Sequence, residues 1–258
     1  MGRVVFISGG ASGIGAASAR EAARAGYAVA INYRHRAELA ERLVAELRAE
    51  GARALAIPGD VTVASDVERS FEHVERELGP VGAVINSAAA FLRPTRVADA
   101  DAQALATLLA TNVLGLMLCC REAARRMSTA RGGGGGVVIN VSSMAATIGG
   151  RPGSSHYAAS KAAVDAFSIG FAKEVAREGI RVVSVRPGFT ATEATQARLD
   201  DPAFSSALST TIPLGRPARV DEVARPIVWL LSDAASFITG TCVDISGGGF
   251  TVGSTPAA

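Results

Sequence analysis

Short apolar runs alternate with longer helical patterns along most of the chain. Val4–Ser8, Ala28–Asn32, Ala52–Ile57, Ala83–Asn86, Val137–Val141, Arg181–Val185 and Thr241–Ile245 are mostly unbroken in hydrophobicity and rich in β-branched residues. Such runs suit strands covered on both faces, as in a parallel sheet. Between them, Ile14–Ala25, Ala37–Glu50 and Ala64–Glu77 have the composition and periodicity of helices. Gly26, Gly51, Gly79 and Gly179 fall just after helical stretches, where a left-handed terminal residue is expected. Strand and helix in alternation, with right-handed crossovers, predict a doubly wound α/β fold: a parallel seven-stranded sheet with helices on both faces. No second domain or repeat is visible, so residues 1–258 are expected to form one domain.

Two segments break the pattern. Residues 189–217 read as the one long irregular stretch, predicted to be a lid or substrate loop. Gly132 to Gly136 are five consecutive glycines, predicted to form a mobile loop tip.

Composition narrows the classes of function. Hydrophobic residues make up 48% of the 258, enough for a large core, and a formal net charge of +2 gives no electrostatic reason to expect nucleic acid or an anionic membrane. Met1-Gly2-Arg3 runs straight into Val4 with no leader pattern, and no apolar run is read as approaching the ~18 residues of a membrane span. Cys119, Cys120 and Cys242 read as small hydrophobes rather than a disulfide framework, so a cytoplasmic setting is expected. Three scattered histidines predict no metal site. The single Trp229 reads as core or subunit interface.

The candidate chemistry lies at two places. Tyr157 and Lys161 are four residues apart, about one helical turn, so their side chains share a face. A tyrosine titrates near ~10, and an adjacent ammonium is expected to favour its phenolate. Near the N-terminus, Val4–Ser8 leads into Gly9-Gly10-Ala11-Ser12-Gly13-Ile14-Gly15 and then a helix. This strand–glycine turn–helix order suits a pyrophosphate, because missing side chains let phosphate approach the backbone and the helix end supplies N–H groups. The second strand ends in Asn32-Tyr33-Arg34-His35-Arg36, without the acidic residue that usually accepts from a ribose 2′-OH. Arginines there suit a 2′-phosphate, Arg34 first and Arg36 second, so NADP(H) is favoured over NAD(H).

Taken together these motifs resemble the short-chain dehydrogenase/reductase family over essentially the whole chain, including members labelled 3-oxoacyl-carrier-protein reductase or glucose dehydrogenase. Ser8-Gly9-x-x-x-Gly13-Ile14-Gly15 resembles its cofactor motif, and Asp60-Val61 the pair that contacts adenine. Asn86-Ser87-Ala88-Ala89 is similar to its Asn-Asn-Ala-Gly element, with Ala89 in place of glycine. Pro187-Gly188-Phe189-Thr190-Ala191-Thr192 resembles the element whose threonine, here Thr192, holds the carboxamide. Asn112 matches the family's helix-kink asparagine, and Ser143, with Ser142 as competitor, its active-site serine.

The resemblance implies a Rossmann-type fold and a hydride transfer between nicotinamide and a carbonyl or secondary alcohol. In it Tyr157 is the general acid/base, Ser143 positions the oxygen, and Lys161 binds ribose and lowers the Tyr157 pKa. Asn112 holds the kink and a water that leads to Lys161. The implied cofactor-binding set is Gly9, Ser12, Gly13, Ile14, Gly15, Tyr33, Arg34, Asp60, Val61, Asn86, Ser87, Ala88, Tyr157, Lys161, Pro187, Gly188, Thr190 and Thr192. The partners implied are a small carbonyl or alcohol substrate and copies of the same chain, as a homotetramer or homodimer. The alternative is a catalytically idle nucleotide-binding protein. Phe91, Met144, Thr147, His156 and the 189–217 loop are expected to set the substrate.

Overall fold

The computed structural model describes residues 3–249; the expected domain range extends beyond these at both ends. Seven parallel strands form one sheet in the order β3-β2-β1-β4-β5-β6-β9. They are β1 (Val4–Ser8), β2 (Ala28–Tyr33), β3 (Ala54–Pro58), β4 (Val81–Asn86), β5 (Gly136–Val141), β6 (Ile180–Pro187) and β9 (Thr241–Ile245). A separate parallel pair joins β7 (Thr190–Ala191) to β8 (Ala218–Arg219). The expected Rossmann-type sheet and its seven strands are present, with boundaries shifted by one or two residues.

Alternation along each strand divides the core between two faces. Val5 and Ile7 point to a layer containing α1 (Gly13–Arg24), α2 (Ala37–Ala49) and residues of a late helix, Val223, Ile227 and Leu230. Val4 and Phe6 point to the other layer, built from α3 (Ala64–Leu78) and two longer helices described below. In α3, Val67, Phe71, Val74 and Leu78 recur every three or four residues and are buried, and Phe71 meets Phe6 with ring centroids 4.4 Å apart.

The chain from Ala102 to Met127 is one continuous helical run: α4 (Ala102–Leu109), a wider π-helical turn over Ala110–Gly115, and α5 (Leu116–Met127). Its 26 residues, with mean hydropathy 1.7 in the most apolar window, are long and apolar enough to cross a membrane, which the sequence pattern had not suggested. The reason is additive: two moderately apolar helices merge through the π turn. One face packs on the sheet through Leu116, Cys119, Cys120 and Ala123, and Asn112 is buried in its middle with polar partners.

Two expectations need correction. Residues 189–217 are not irregular: they contain β7, α8 (Glu193–Leu199) and α9 (Pro202–Thr211), after the short α6 (Ala145–Ile148) and the long α7 (Ser155–Val175). Thr192 and Asp201 cap these two helices, and Pro202 occupies the first turn of α9. The five-glycine run is a packed turn. Gly133 and Gly135 donate to Ser128 O (2.8 Å) and Met127 O (2.7 Å), and a Cβ at Gly133 would stand 2.4 Å from Arg126 O. Close backbone approach, rather than freedom, requires glycine there. The last helix, α10 (Val220–Leu231), buries Val223, Ile227 and Leu230 but leaves Trp229 half-exposed, so Trp229 is not a core residue.

Candidate active site

Strand order reverses at β1, which lies between β2 and β4, and such a reversal opens a crevice above the strand ends. Buried polar residues cross the sheet in register at this edge: Asn32 opposite Ser8, Ser8 opposite Asn86, Asn86 opposite Asn140, and Asn140 opposite Ser184. Buried polar groups are costly unless paired. Here Asn86 Nδ2 donates to Asn140 Oδ1 (2.9 Å), Asn140 Nδ2 to Ser168 Oγ (2.8 Å), and Ser184 Oγ to Asp165 Oδ1 (2.6 Å). Ser168 and Asp165 belong to α7, so the row ties that helix to the sheet. Asn140, Asp165 and Ser168 were not singled out from sequence. For Asn140 the signal was a polar residue in the C-terminal half of an apolar strand, repeated in five strands; Asp165 and Ser168, on a helix, carried no such signal.

Helix α7 carries Tyr157 and Lys161 into the crevice. Lys161 is buried at 3% exposure, and its Nζ donates to Val141 O at 2.8 Å. The ammonium lies 5.8 Å from the centre of the Tyr157 ring. Phe91 stacks on the other partner of that pair, its centroid 5.0 Å from that of Tyr157. Ser143 follows β5, accepts from Ala145 N (3.1 Å), and its hydroxyl acts on the Tyr157 phenol. Ser142 is buried elsewhere, its Oγ donating to Lys161 O (3.0 Å). The structure therefore brings Ser143, and not Ser142, to Tyr157.

Asn112 sits in the π turn and is almost fully buried. Its Oδ1 accepts from Ala90 N (2.7 Å), and its Nδ2 donates to Ala90 O and Ser160 Oγ, both at 3.1 Å. Ser160 Oγ in turn donates to Tyr157 O (2.7 Å), so the kink is coupled to the turn that presents the phenol. Ala89, in place of the family's glycine, is exposed, and the segment around it keeps its bonds to Ser8 and Asn112.

Electrostatics here differ from the sequence expectation. Burial pushes the Tyr157 phenol up to about 12, only partly opposed by Ser143. Burial likewise pulls Lys161 down to about 8, with Asp165 acting in the opposite direction. The ammonium donates to the Val141 carbonyl, and because it loses its proton near 8, before the phenol ionises near 12, its charge is gone when Tyr157 titrates. His156 lies next to Tyr157 with a buried Nδ1 that has no partner.

The nucleotide end forms from β1, its glycine turn and α1. A Cβ on Gly9 would come within 2.6 Å of Ala88 Cα, and one on Gly15 within 2.3 Å of Gly9 O, so neither position tolerates a side chain. Ser12 is the N-cap of α1 but makes no side-chain cap bond. Gly13 N instead donates to Glu193 Oε2 at 3.2 Å, placing a carboxylate where a helix end attracts anions. A dinucleotide's phosphates fit this bare, anion-attracting turn. Ile14 and Tyr33 pack against the core beside it.

The remaining expected contacts surround that turn. Arg34 Nε pairs with Asp60 at 3.0 Å, while Asp60 Oδ1 accepts from Thr62 N (2.9 Å) and Thr62 Oγ1 (2.8 Å). Val61 is buried against Gly115 of the π turn. Ser87 N and Ala88 N donate to Ser8 O (3.2 Å) and Ser8 Oγ (3.4 Å). Across the crevice, Gly188 N after Pro187 donates to Ile245 O, and the Thr190 hydroxyl donates to Gly188 O. Thr192 approaches Gly13, with its Cγ2 3.5 Å from where a Gly13 Cβ would be.

Known proteins share this fold. The family described as enoyl-(acyl carrier protein) reductase matches residues 9–250. The uncharacterized oxidoreductase YgfF of Escherichia coli K12 is 38% identical over 245 residues, covering 95% of this chain and 99% of that protein. This chain is a short-chain dehydrogenase/reductase. A mouse 3-oxoacyl-[acyl-carrier-protein] reductase is 37% identical over 248 residues, 96% of this chain and 98% of that one. Among solved structures, a short-chain dehydrogenase from Burkholderia cenocepacia J2315 in complex with NADP is 31% identical with a TM-score of 0.88, covering 96% of this chain and 98% of that one. The chain thus belongs to the short-chain dehydrogenase/reductase oxidoreductases, on the 3-oxoacyl-carrier-protein reductase-like side of that family.

Proposed function

We propose that the protein is an NADP(H)-dependent oxidoreductase acting on a small ketone or the corresponding secondary alcohol, within one domain spanning residues 1–258. The observation that carries this reading is the meeting of Ser143, Tyr157 and Lys161 above β5. The bound nicotinamide supplies or accepts the hydride. Tyr157 gives its phenolic proton to the carbonyl oxygen in reduction and takes it back in oxidation. Ser143 hydrogen-bonds the same oxygen and holds it in line. Lys161 binds the nicotinamide ribose and turns toward Tyr157 as it does so. Asn112 positions the Tyr157 turn through Ser160.

The cofactor seat in this reading comprises Gly9, Ser12, Gly13, Ile14, Gly15, Tyr33, Arg34, Asp60, Val61, Asn86, Ser87, Ala88, Pro187, Gly188, Thr190 and Thr192, together with Tyr157 and Lys161. A preference for NADP(H) is supported by Arg34 and Arg36 at the end of β2, where no acidic residue stands, and by the NADP complex of the Burkholderia relative. Asp60 fixes the Arg34 fork, leaving its remaining N–H groups for a 2′-phosphate. The protein works in the cytoplasm, without a nucleic-acid or membrane partner, as a homotetramer. The half-exposed Leu109, Leu114 and Trp229 support association between copies.

The test is binding of NADPH and NADH, followed by turnover of a ketone panel with the preferred cofactor. Tyr157→Phe is expected to bind NADPH and lose turnover by about 10²–10⁴-fold, the range for a general acid. Ser143→Ala is expected to be impaired more than Ser142→Ala. Undiminished turnover by Tyr157→Phe sinks the assignment, and tight NADPH binding by the native protein without turnover on any ketone identifies an idle binder.

A further inference from the structure

Three segments that border the crevice converge on one aromatic ring. Phe189, just after the Pro187-Gly188 element, meets Phe204 of α9 with centroids 5.4 Å apart. Arg198 of α8 lies with its Cζ 4.3 Å from the Phe204 centroid and 5.6 Å from that of Phe189. Arg151, from the loop between Ser143 and Tyr157, lies 5.3 Å from the same Phe204 centroid. Two guanidinium groups therefore share one ring. Their charges act on each other, and neither forms an ion pair among the described residues. Elsewhere arginines gather around acids: Arg121, Arg125 and Arg126 around Glu122, and Arg216 and Arg219 around Glu222.

Two like charges held together without an acid repel each other, and both arginines are exposed, within reach of an anion. An anion arriving from solution relieves that repulsion, and the planar guanidinium fork matches carboxylate or phosphate oxygens. Arg151 of the pair lines a small slot at the carboxyl ends of β6 and β9, where Phe189, Leu208 and Ile212 supply an apolar wall and Thr211 and Ser246 supply hydroxyls. Strand ends of an open sheet are where such folds bind ligands.

We propose that Arg151 and Arg198 are specificity-determining residues for an anionic group on the substrate, remote from its carbonyl. The substrate class is then a ketone, or its alcohol, carrying a carboxylate or phosphate across an apolar spacer. This inference rests on the hydride-transfer reading above. The anion has two possible sources, a free oxo-acid or a larger acyl compound bearing a phosphate ester, and both present the same chemistry to the pair.

The test compares kcat/KM for a chain-length series of oxo-carboxylates, their uncharged methyl esters and the matching oxo-alkyl phosphates, with NADPH saturating. At the best chain length, the carboxylate or the phosphate is expected to exceed the ester by about tenfold or more, the scale of one charge-assisted hydrogen bond. A Arg151→Gln/Arg198→Gln double variant is expected to lose that ratio, and Arg198→Glu to reverse it. NADPH binding by each variant reports that it is folded. Preference for the phosphate identifies a phosphate-bearing substrate, and preference for the carboxylate a free oxo-acid. Esters turned over as well as both anions, or a ratio that survives in the double variant, overturn the inference. If no ketone is reduced at all, the hydride-transfer reading is what fails. The pair is then judged by binding alone: an oxo-carboxylate or oxo-alkyl phosphate must raise the unfolding temperature of the native protein and not of the double variant.

Discussion

Lys161 has exchanged bulk water for the Val141 carbonyl, and its ammonium is correspondingly easier to deprotonate, with its pKa lowered from 10.5 to about 8. Between those values the unfolded chain binds more protons than the folded one, so this residue makes stability rise as pH increases from about 8 to about 10.5. The full gain is of the order of 3 kcal/mol, because each pKa unit is worth about 1.4 kcal/mol. Tyr157 acts oppositely and higher: its phenol is raised from 10 to about 12, so its contribution is lost as pH climbs through that window. Lys161→Met, which removes the titrating group but keeps most of its volume, is expected to be more stable than the native protein at pH 7 without cofactor. It should also lack the rise above pH 8. Urea unfolding of both proteins at pH 7, 8.5 and 9.5 measures this, and parallel pH curves would show that Lys161 is not buried as an ammonium. The same residue shows where sequence reading stopped. The four-residue spacing put Tyr157 and Lys161 on one face, but the direction of the Nζ bond depends on Val141, a residue twenty positions away.

Among the elements, α8 connects the two halves of the crevice. Its first residue, Glu193, reaches the first N–H of α1, a donor in the cofactor seat proposed above. Two anions cannot share that donor without repulsion, so a dinucleotide bound in the proposed seat would have to displace the carboxylate. Glu193→Gln keeps the shape and removes the charge, and a charge at a helix end contributes about 0.3–1 kcal/mol. NADPH is therefore expected to bind the variant about two- to fivefold more tightly, by the usual conversion of free energy to affinity. Fluorescence titration decides it, and weaker binding would mean that Glu193 closes over the cofactor instead of competing with it. Nothing in the linear pattern pointed to this contact, because 180 residues separate its partners. The strands and the first three helices were legible, since burial on two faces or one imprints directly on hydrophobic order. Helices α8 and α9 were not, because they are short, largely solvent-facing and started by local caps at Thr192 and Asp201.

At the scale of the whole molecule, the doubly wound parallel sheet followed from chain alternation and handedness, whereas the in-register polar row that fixes α7 emerges only when five strands lie side by side. Association is the remaining question at this scale. The helical run Ala102–Met127 is strongly apolar, yet only 33% of its most apolar window is buried, and Leu109 and Leu114 each remain 47% exposed. Apolar surface of this kind on a long helix is stabilised by covering it, and a second copy can present the same face through a twofold axis. The run also contains Asn112, so a partner on its outer face would stiffen the turn that holds Tyr157. Sedimentation velocity is expected to give a tetramer for the native chain and a smaller species for Leu109→Arg/Leu114→Arg. If the face is an interface, the smaller species should retain NADPH binding while losing turnover through the loosened Asn112 turn. A native monomer would refute the assembly, and a double variant that remains tetrameric would move the interface to another surface, with the half-exposed Trp229 of α10 the next to be changed.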